Sequence, residues 1–227
     1  MAYGKVFEAL RASCPHVWSE YTEHGFVKGL GDGSLPRDAF LTYLRQDYVF
    51  LIHFSRAWAL AVTKAGNLAE MKAASSVVHA LLHEEMQLHI GICAEAGISL
   101  EELENTAELP QNMLYTRYVL EAGYSGDFLD MMAALAPCVM GYGEIGVNLD
   151  KAATSKTYRE WIDTYAAADY QALCADLGAL IDQAVISRLG DAYQQTGRWQ
   201  TLQKHFETAT RLERDFWGMA FEAKDEA

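Results

Sequence analysis

The sequence predicts an all-α protein of one domain. Three observations lead there. Apolar residues recur at helical spacing almost throughout, no stretch keeps the two-residue alternation of a strand, and proline and glycine fall mainly where one helix would stop and the next begin. The 227 residues, 51% hydrophobic and 22% charged, suffice for a sizeable core of ordinary globular composition. No linker, internal repeat or low-complexity block divides the chain, so a single domain over residues 1–227 is expected.

The elements follow in order. A first helix is expected over about Tyr3 to Ser13. Pro15 opens a second, since proline in a first turn gives up an N–H that has no helical partner there. Gly29-Leu30-Gly31-Asp32-Gly33 reads as a loop, and Pro36 opens a long helix through about Ala65. The next helix is expected from about Leu68 to Ala96, and Ser99 with Glu102 forms a capping box before a short one. Pro110 starts a helix to about Ala122, and Asp127 caps one reaching about Ala153. Three more are expected near 156–166, 168–189 and 198–222.

Composition excludes several functions. With 18 Lys+Arg against 31 Asp+Glu the net charge is -13, a field that repels a phosphate backbone. The densest basic stretch, Arg211 to Arg214, is broken by Glu213 and followed by Asp215, so nucleic-acid binding is not expected. Cysteines 14, 93, 138 and 174 form no CxxC pair and no disulfide framework. The first fifteen residues carry Lys5, Glu8 and Arg11, unlike a secretory signal. No uncharged apolar run reaches the roughly 18 residues of a membrane span. A reduced, cytoplasmic protein is the expectation.

Three segments place polar groups in apolar stripes. In Pro137-Cys138-Val139-Met140-Gly141-Tyr142-Gly143-Glu144-Ile145-Gly146, proline breaks one helical hydrogen bond just before a cysteine, and Cys138, Tyr142 and Ile145 share a face. Three glycines, each costing about 1 kcal/mol of helix stability, let a ligand or another helix approach. The segment is consistent either with a nucleophile beside a pocket or with close packing around an inert thiol. Asp47 shares a stripe with Tyr43, Phe50 and Phe54; a carboxylate among aromatics needs either a ligand or a basic residue. Glu213 precedes Phe216 and Trp217 by three and four residues. Aromatic walls would raise its pKa as a general acid requires; the alternative is a charge on the rim of a packed helix. Tyr115 and Tyr165 also lie on apolar stripes, positions that suit core as well as site.

Metal chemistry is not expected. His79 and His83 are four apart, as are Glu85 and His89, but Gln87 stands where a zincin needs its second histidine. Leu88 and Gln87 stand where Glu-x-x-His pairs would put histidine, so no di-iron pattern forms. Glu85 and His89, on a stripe with Val78, Leu82 and Ile92, read instead as a buried polar pair supporting a site. Residues 29–33 are no phosphate loop, and no Gly-x-Ser-x-Gly elbow occurs.

Taken together, in order and spacing, these segments resemble the TenA family, also called thiaminase II. The resemblance runs through Gly29 to Pro36, Gln46-Asp47-Tyr48 with His53-Phe54, Glu85 with His89 and Tyr115-Thr116. It continues through Pro137 to Gly146, Trp161 to Tyr165 and Phe216 to Ala220, nearly the whole chain. It implies a heme-oxygenase-like helical bundle, assembled as a homotetramer, working without cofactor on an aminopyrimidine.

The resemblance also implies roles. Cys138 matches the nucleophile that adds to the pyrimidine ring, and Glu213 the acid/base that moves protons to ring and leaving group. Asp47 matches the carboxylate that holds the aminopyrimidine edge; Tyr142 and Tyr165 match substrate-contacting tyrosines, and Tyr115 a tyrosine near the site. Phe50 stands where members often carry a tyrosine whose hydroxyl helps activate the thiol. The implied reaction is hydrolysis of 4-amino-5-aminomethyl-2-methylpyrimidine, or of thiamin. The alternatives are a metal-dependent oxidase on the same fold, and a pyrimidine-binding or regulatory protein without turnover.

Overall fold

The computed structural model describes residues 3–222, which are mostly helical with no strand among them. The chain forms α1 (Lys5–Ser13), α2 (Pro15–Thr22), α3 (Gly25–Asp32), α4 (Arg37–Lys64), α5 (Leu68–Ala80) and α6 (Met86–Glu95). It continues through α7 (Leu100–Glu104), α8 (Pro110–Ser125), α9 (Phe128–Ala152), α10 (Arg159–Ala166), α11 (Ala168–Leu189) and α12 (Gly197–Glu222). A π-helical turn, Leu81–Glu85, joins α5 to α6, and a 3-10 turn spans Tyr193–Gln195. The all-α expectation holds, and the capping box of Ser99 and Glu102 is present.

Two expectations are corrected. Residues 29–32 are the end of α3 rather than a loop, and only Gly33, left-handed at φ 79°, ends it. The glycines serve close packing. A Cβ at Gly29 would lie 2.9 Å from Leu35, and one at Gly31 would lie 2.9 Å from Leu149. The Gly31 carbonyl accepts hydrogen bonds from the N–H groups of Thr154 and Ser155.

The helix expected over 68–96 is broken by the π turn, and its buried face changes with it. Buried positions run Ala74, Val77, Leu81, then Met86, His89, Cys93. The single five-residue step falls in the wider turn. The stripe expected through Leu82 is therefore not the core face: Leu82 is 43% exposed.

The chain forms two compact units, each built from two segments. The first unit comprises Met1–Leu35 and Met132–Arg214. Asp182 of α11 accepts the backbone N–H groups of Lys5 and Val6 at 2.9 and 2.7 Å, supplying the cap that Gly4 lacks at the start of α1. Gly178 lets the Tyr3 carbonyl approach where any side chain would collide. Trp18 stacks on Phe206 at 5.6 Å, with Phe7 edge-on to both.

The second unit comprises Pro36–Met131 and Asp215–Ala227. Here α4 packs against α5, α6 and α8. The buried amide of Gln46 stitches it to the segment before α8, donating to the Ala107 carbonyl and accepting from the Leu109 N–H. Tyr43 packs on Trp217 at 5.4 Å and edge-on to Phe216 at 6.3 Å.

Among the described residues one helix, α9, is long and apolar enough to cross a membrane; 89% of its most apolar 18-residue window is buried within the protein.

Candidate active site

In the first unit the candidate residues centre on α9. Pro137 lies inside this helix, and the Tyr21 hydroxyl donates to its carbonyl at 3.4 Å. Cys138 follows and is half-buried, whereas Cys14, Cys93 and Cys174 are buried. Burial pushes the Cys14 and Cys93 thiols up to about 11 and the Cys174 thiol up to about 12. Since the thiolate is the reactive form, these three are inert at neutral pH.

The glycines after Cys138 admit neighbouring groups. A Cβ at Gly141 would collide with the Tyr21 ring, one at Gly143 would lie 2.7 Å from Cys174 Sγ, and one at Gly146 would lie 2.5 Å from the Tyr165 carbonyl carbon. That last approach seats α10 on α9. Gln171 secures it, its amide donating to the carbonyls of Gly143 and Tyr165 at 3.1 and 2.8 Å while its Oε1 accepts from the Tyr3 hydroxyl at 2.6 Å.

An aromatic cluster results. Tyr142 meets Tyr165 edge-on at 4.8 Å and Trp161 at 5.8 Å; Tyr165 meets Tyr170 edge-on at 5.0 Å. The Tyr170 hydroxyl donates to the Val139 carbonyl at 3.1 Å, one residue past the cysteine. The structure thus brings the sequence-designated Tyr142 and Tyr165 together. Tyr170 was not legible as their neighbour, because no stripe on α11 marks it.

Glu144, inside the same motif, is held by Arg11 at 2.6 Å and by the Trp18 indole N–H at 3.0 Å, a bond between α9 and the α1–α2 pair. Glu213, on α12, is 1% exposed, which rules out the reading of a charge on a helix rim.

In the second unit, Asp47, Phe50 and Tyr115 are all buried. Phe50 stacks on Phe54 at 5.0 Å, tilts against Tyr115 at 5.2 Å and meets Phe216 at 5.3 Å. Asp47 pairs with Nε2 of buried His89, and the Tyr43 hydroxyl donates to the same carboxylate at 3.4 Å. The basic partner that Asp47 required therefore exists. Burial alone pulls the His89 imidazolium down, but the charge and hydrogen bond of Asp47, with Glu85 beside it, lift it above its ordinary value. Sequence spacing had linked His89 to Glu85. The link to Asp47 lies across α4 and α6 and leaves no mark at either spacing.

Near Phe50, His53 sits between Arg117, Arg56 and Glu108. Burial, then Arg117, pull its pKa below the ordinary value. Glu108 takes both Arg117 nitrogens, at 2.9 and 2.7 Å, so this charge cluster is largely satisfied within itself.

Residues 11–223 match the TENA/THI-4/PQQC family. A solved structure from Silicibacter sp. TM1040, described as a TenA family transcription regulator, is 59% identical, with a TM-score of 0.95 and 96% of this chain and 97% of that one covered. An aminopyrimidine aminohydrolase of Halalkalibacterium halodurans is 36% identical over 208 residues, 90% of each chain. Another, of Helicobacter pylori, is 30% identical over 223 residues, 96% of this chain and 100% of that one. With its family match extending from α1 through α12, this chain belongs to the TENA/THI-4/PQQC family.

Proposed function

We propose that this protein hydrolyses 4-amino-5-aminomethyl-2-methylpyrimidine to the 5-hydroxymethyl compound and ammonia, a step of thiamin salvage, with thiamin as an alternative substrate. The observation that carries the reading is Cys138: it is the one thiol of four that is not buried, and it stands one helical turn from Tyr142 and its aromatic cluster. Two relatives described as aminopyrimidine aminohydrolases, at 36% and 30% identity, support the same chemistry.

In this proposal Asp47 holds the aminopyrimidine edge, and Phe50, Tyr115, Tyr142 and Tyr165 are the aromatic groups around the ring. The Cys138 thiolate adds to the ring, which loses its aromaticity and expels the amine from the 5-methylene carbon. Glu213 gives that amine its proton. Water then adds at the methylene, Glu213 takes a proton back, and the thiolate leaves. Water is the only co-reactant and ammonia the only by-product.

The proposed protein is a cytoplasmic homotetramer that binds neither nucleic acid nor membrane. The description of the Silicibacter protein as a transcription regulator suggests a DNA-binding alternative, and the net charge of -13 weighs against it. The test is incubation with the aminomethylpyrimidine, thiamin and thiamin degradation products in parallel, following hydroxymethylpyrimidine and ammonia. Equimolar appearance of the two from the aminomethyl substrate is expected. No release of hydroxymethylpyrimidine from any of the substrates would overturn the reading.

A further inference from the structure

Among the described residues, the polar contacts that the protein gives Asp47 end on one oxygen. Oδ2 accepts from the Tyr43 hydroxyl and faces Nε2 of His89. His89 is in turn set by its other nitrogen, since Nδ1 lies 3.3 Å from the Glu85 carbonyl oxygen. An imidazolium donating at both nitrogens satisfies both contacts at once.

The π turn is what puts His89 there. Had α5 continued without it, the face carrying Ala74, Val77 and Leu81 would next present Glu85 and Leu88. The extra residue brings Met86 and His89 round instead, and the carbonyl that anchors the ring belongs to the last residue of the turn.

We infer that His89 is a positioning residue for substrate recognition: it holds Oδ2 of Asp47 and so reserves Oδ1 for an N–H on the edge of the bound ring. This rests on the reading of Asp47 as the group that binds the aminopyrimidine. A carboxylate held by one oxygen has a fixed plane, and a ligand amine meets an acceptor already aimed. Released, the same carboxylate would turn away from the ring edge and lose affinity.

Two substitutions separate the contacts of the ring. His89→Asn can keep a bond to the Glu85 carbonyl, but its amide stops short of Asp47. His89→Gln reaches Asp47 with an N–H in place of Nε2. The experiment titrates 4-amino-5-hydroxymethyl-2-methylpyrimidine by calorimetry into the full-length protein, both variants and Asp47→Asn, with circular dichroism to check folding. His89→Asn is expected to weaken binding roughly tenfold or more, and His89→Gln to stay within about threefold of the original. In turnover, His89→Asn should raise KM more than it lowers kcat.

A merely structural role would make the two variants alike, and that result in folded proteins overturns the inference, as does full affinity in His89→Asn. Should His89→Asn not fold, His89→Gln decides alone, and a tenfold loss in it overturns the inference. Asp47→Asn tells the two levels apart. If it loses affinity while His89→Asn does not, only the positioning role fails. If it binds normally, the site reading fails and the inference with it.

Discussion

Cys138 shows how far a single residue can be read. Its place after Pro137 and one turn before Tyr142 is visible in the chain, and so is the resemblance on which it is proposed as the nucleophile. Its partial exposure among three buried thiols is a property of packing and had to be seen. A thiol-alkylating reagent should therefore modify Cys138 first, and hydroxymethylpyrimidine should slow it; mass mapping of the labelled peptide checks both, and labelling of Cys174 at equal rate would refute the assignment. Cys138→Ser should fold yet lose most turnover, because an alkoxide forms far less readily than a thiolate. Near-normal hydrolysis in Cys138→Ser would replace covalent addition by direct attack of water. In the proposed mechanism Phe50 bears on rate. It already packs against Phe54, Tyr115 and Phe216, so the hydroxyl of Phe50→Tyr would have to find a polar neighbour in an aromatic nest. If thiol activation limits turnover, kcat/KM should rise, or its pH optimum move down, in that variant; a flat comparison of the two profiles removes the hydroxyl from the mechanism.

At the scale of the helix, sequence periodicity succeeded where one period ran from cap to cap and failed where the period changed. Starts marked by Pro15, Ser99 and Pro110 are where the chain signals them. The π turn at Leu81–Glu85 leaves no composition signal; only a buried pattern stepping by five betrays it, and burial is not known in advance. Glycine misled for the opposite reason. In α3 it signals a break by propensity, but packing against Leu35 and Leu149 overrides about 1 kcal/mol of helix cost per residue. That distinction is testable on two mid-helix glycines. Gly146→Ala sets a Cβ against the Tyr165 backbone, which cannot rotate away, and should destabilise by about 1–3 kcal/mol. Gly91→Ala, at an exposed position of α6 with nothing within 4 Å, should stabilise by about 0.5–1 kcal/mol. Urea midpoints of the two variants against the parent check the opposite signs.

Across the whole molecule, two histidines should give stability opposite dependences on pH. His89 has its pKa raised in the folded state, so its contribution is full below the unfolded value of 6.5 and fades as pH climbs through the raised one. His53 has its pKa lowered, so its contribution is full above 6.5 and fades as pH falls through the lowered one. Urea unfolding between roughly pH 5 and 8.5 should show His89→Gln losing the decline on the alkaline side and His53→Gln losing that on the acid side. Unchanged slopes in both variants would contradict these shifts. At this scale the helical class was open to reading from periodicity, whereas the pairing of distant segments into two units was not, because no composition boundary falls at residue 35, 131 or 214. That pairing matters most while the chain is being made. The residues of α1 to α3 leave the ribosome before the segment that completes their unit, which begins at Met132 and brings Phe206 against Phe7 and Trp18. At about 5–20 residues per second, the intervening segment keeps these aromatic surfaces waiting for roughly 5–20 seconds. Over that interval the nascent chain exposes apolar surface that the finished fold hides, so slowing translation should lower the yield of soluble protein even where the stability of the finished fold is unchanged.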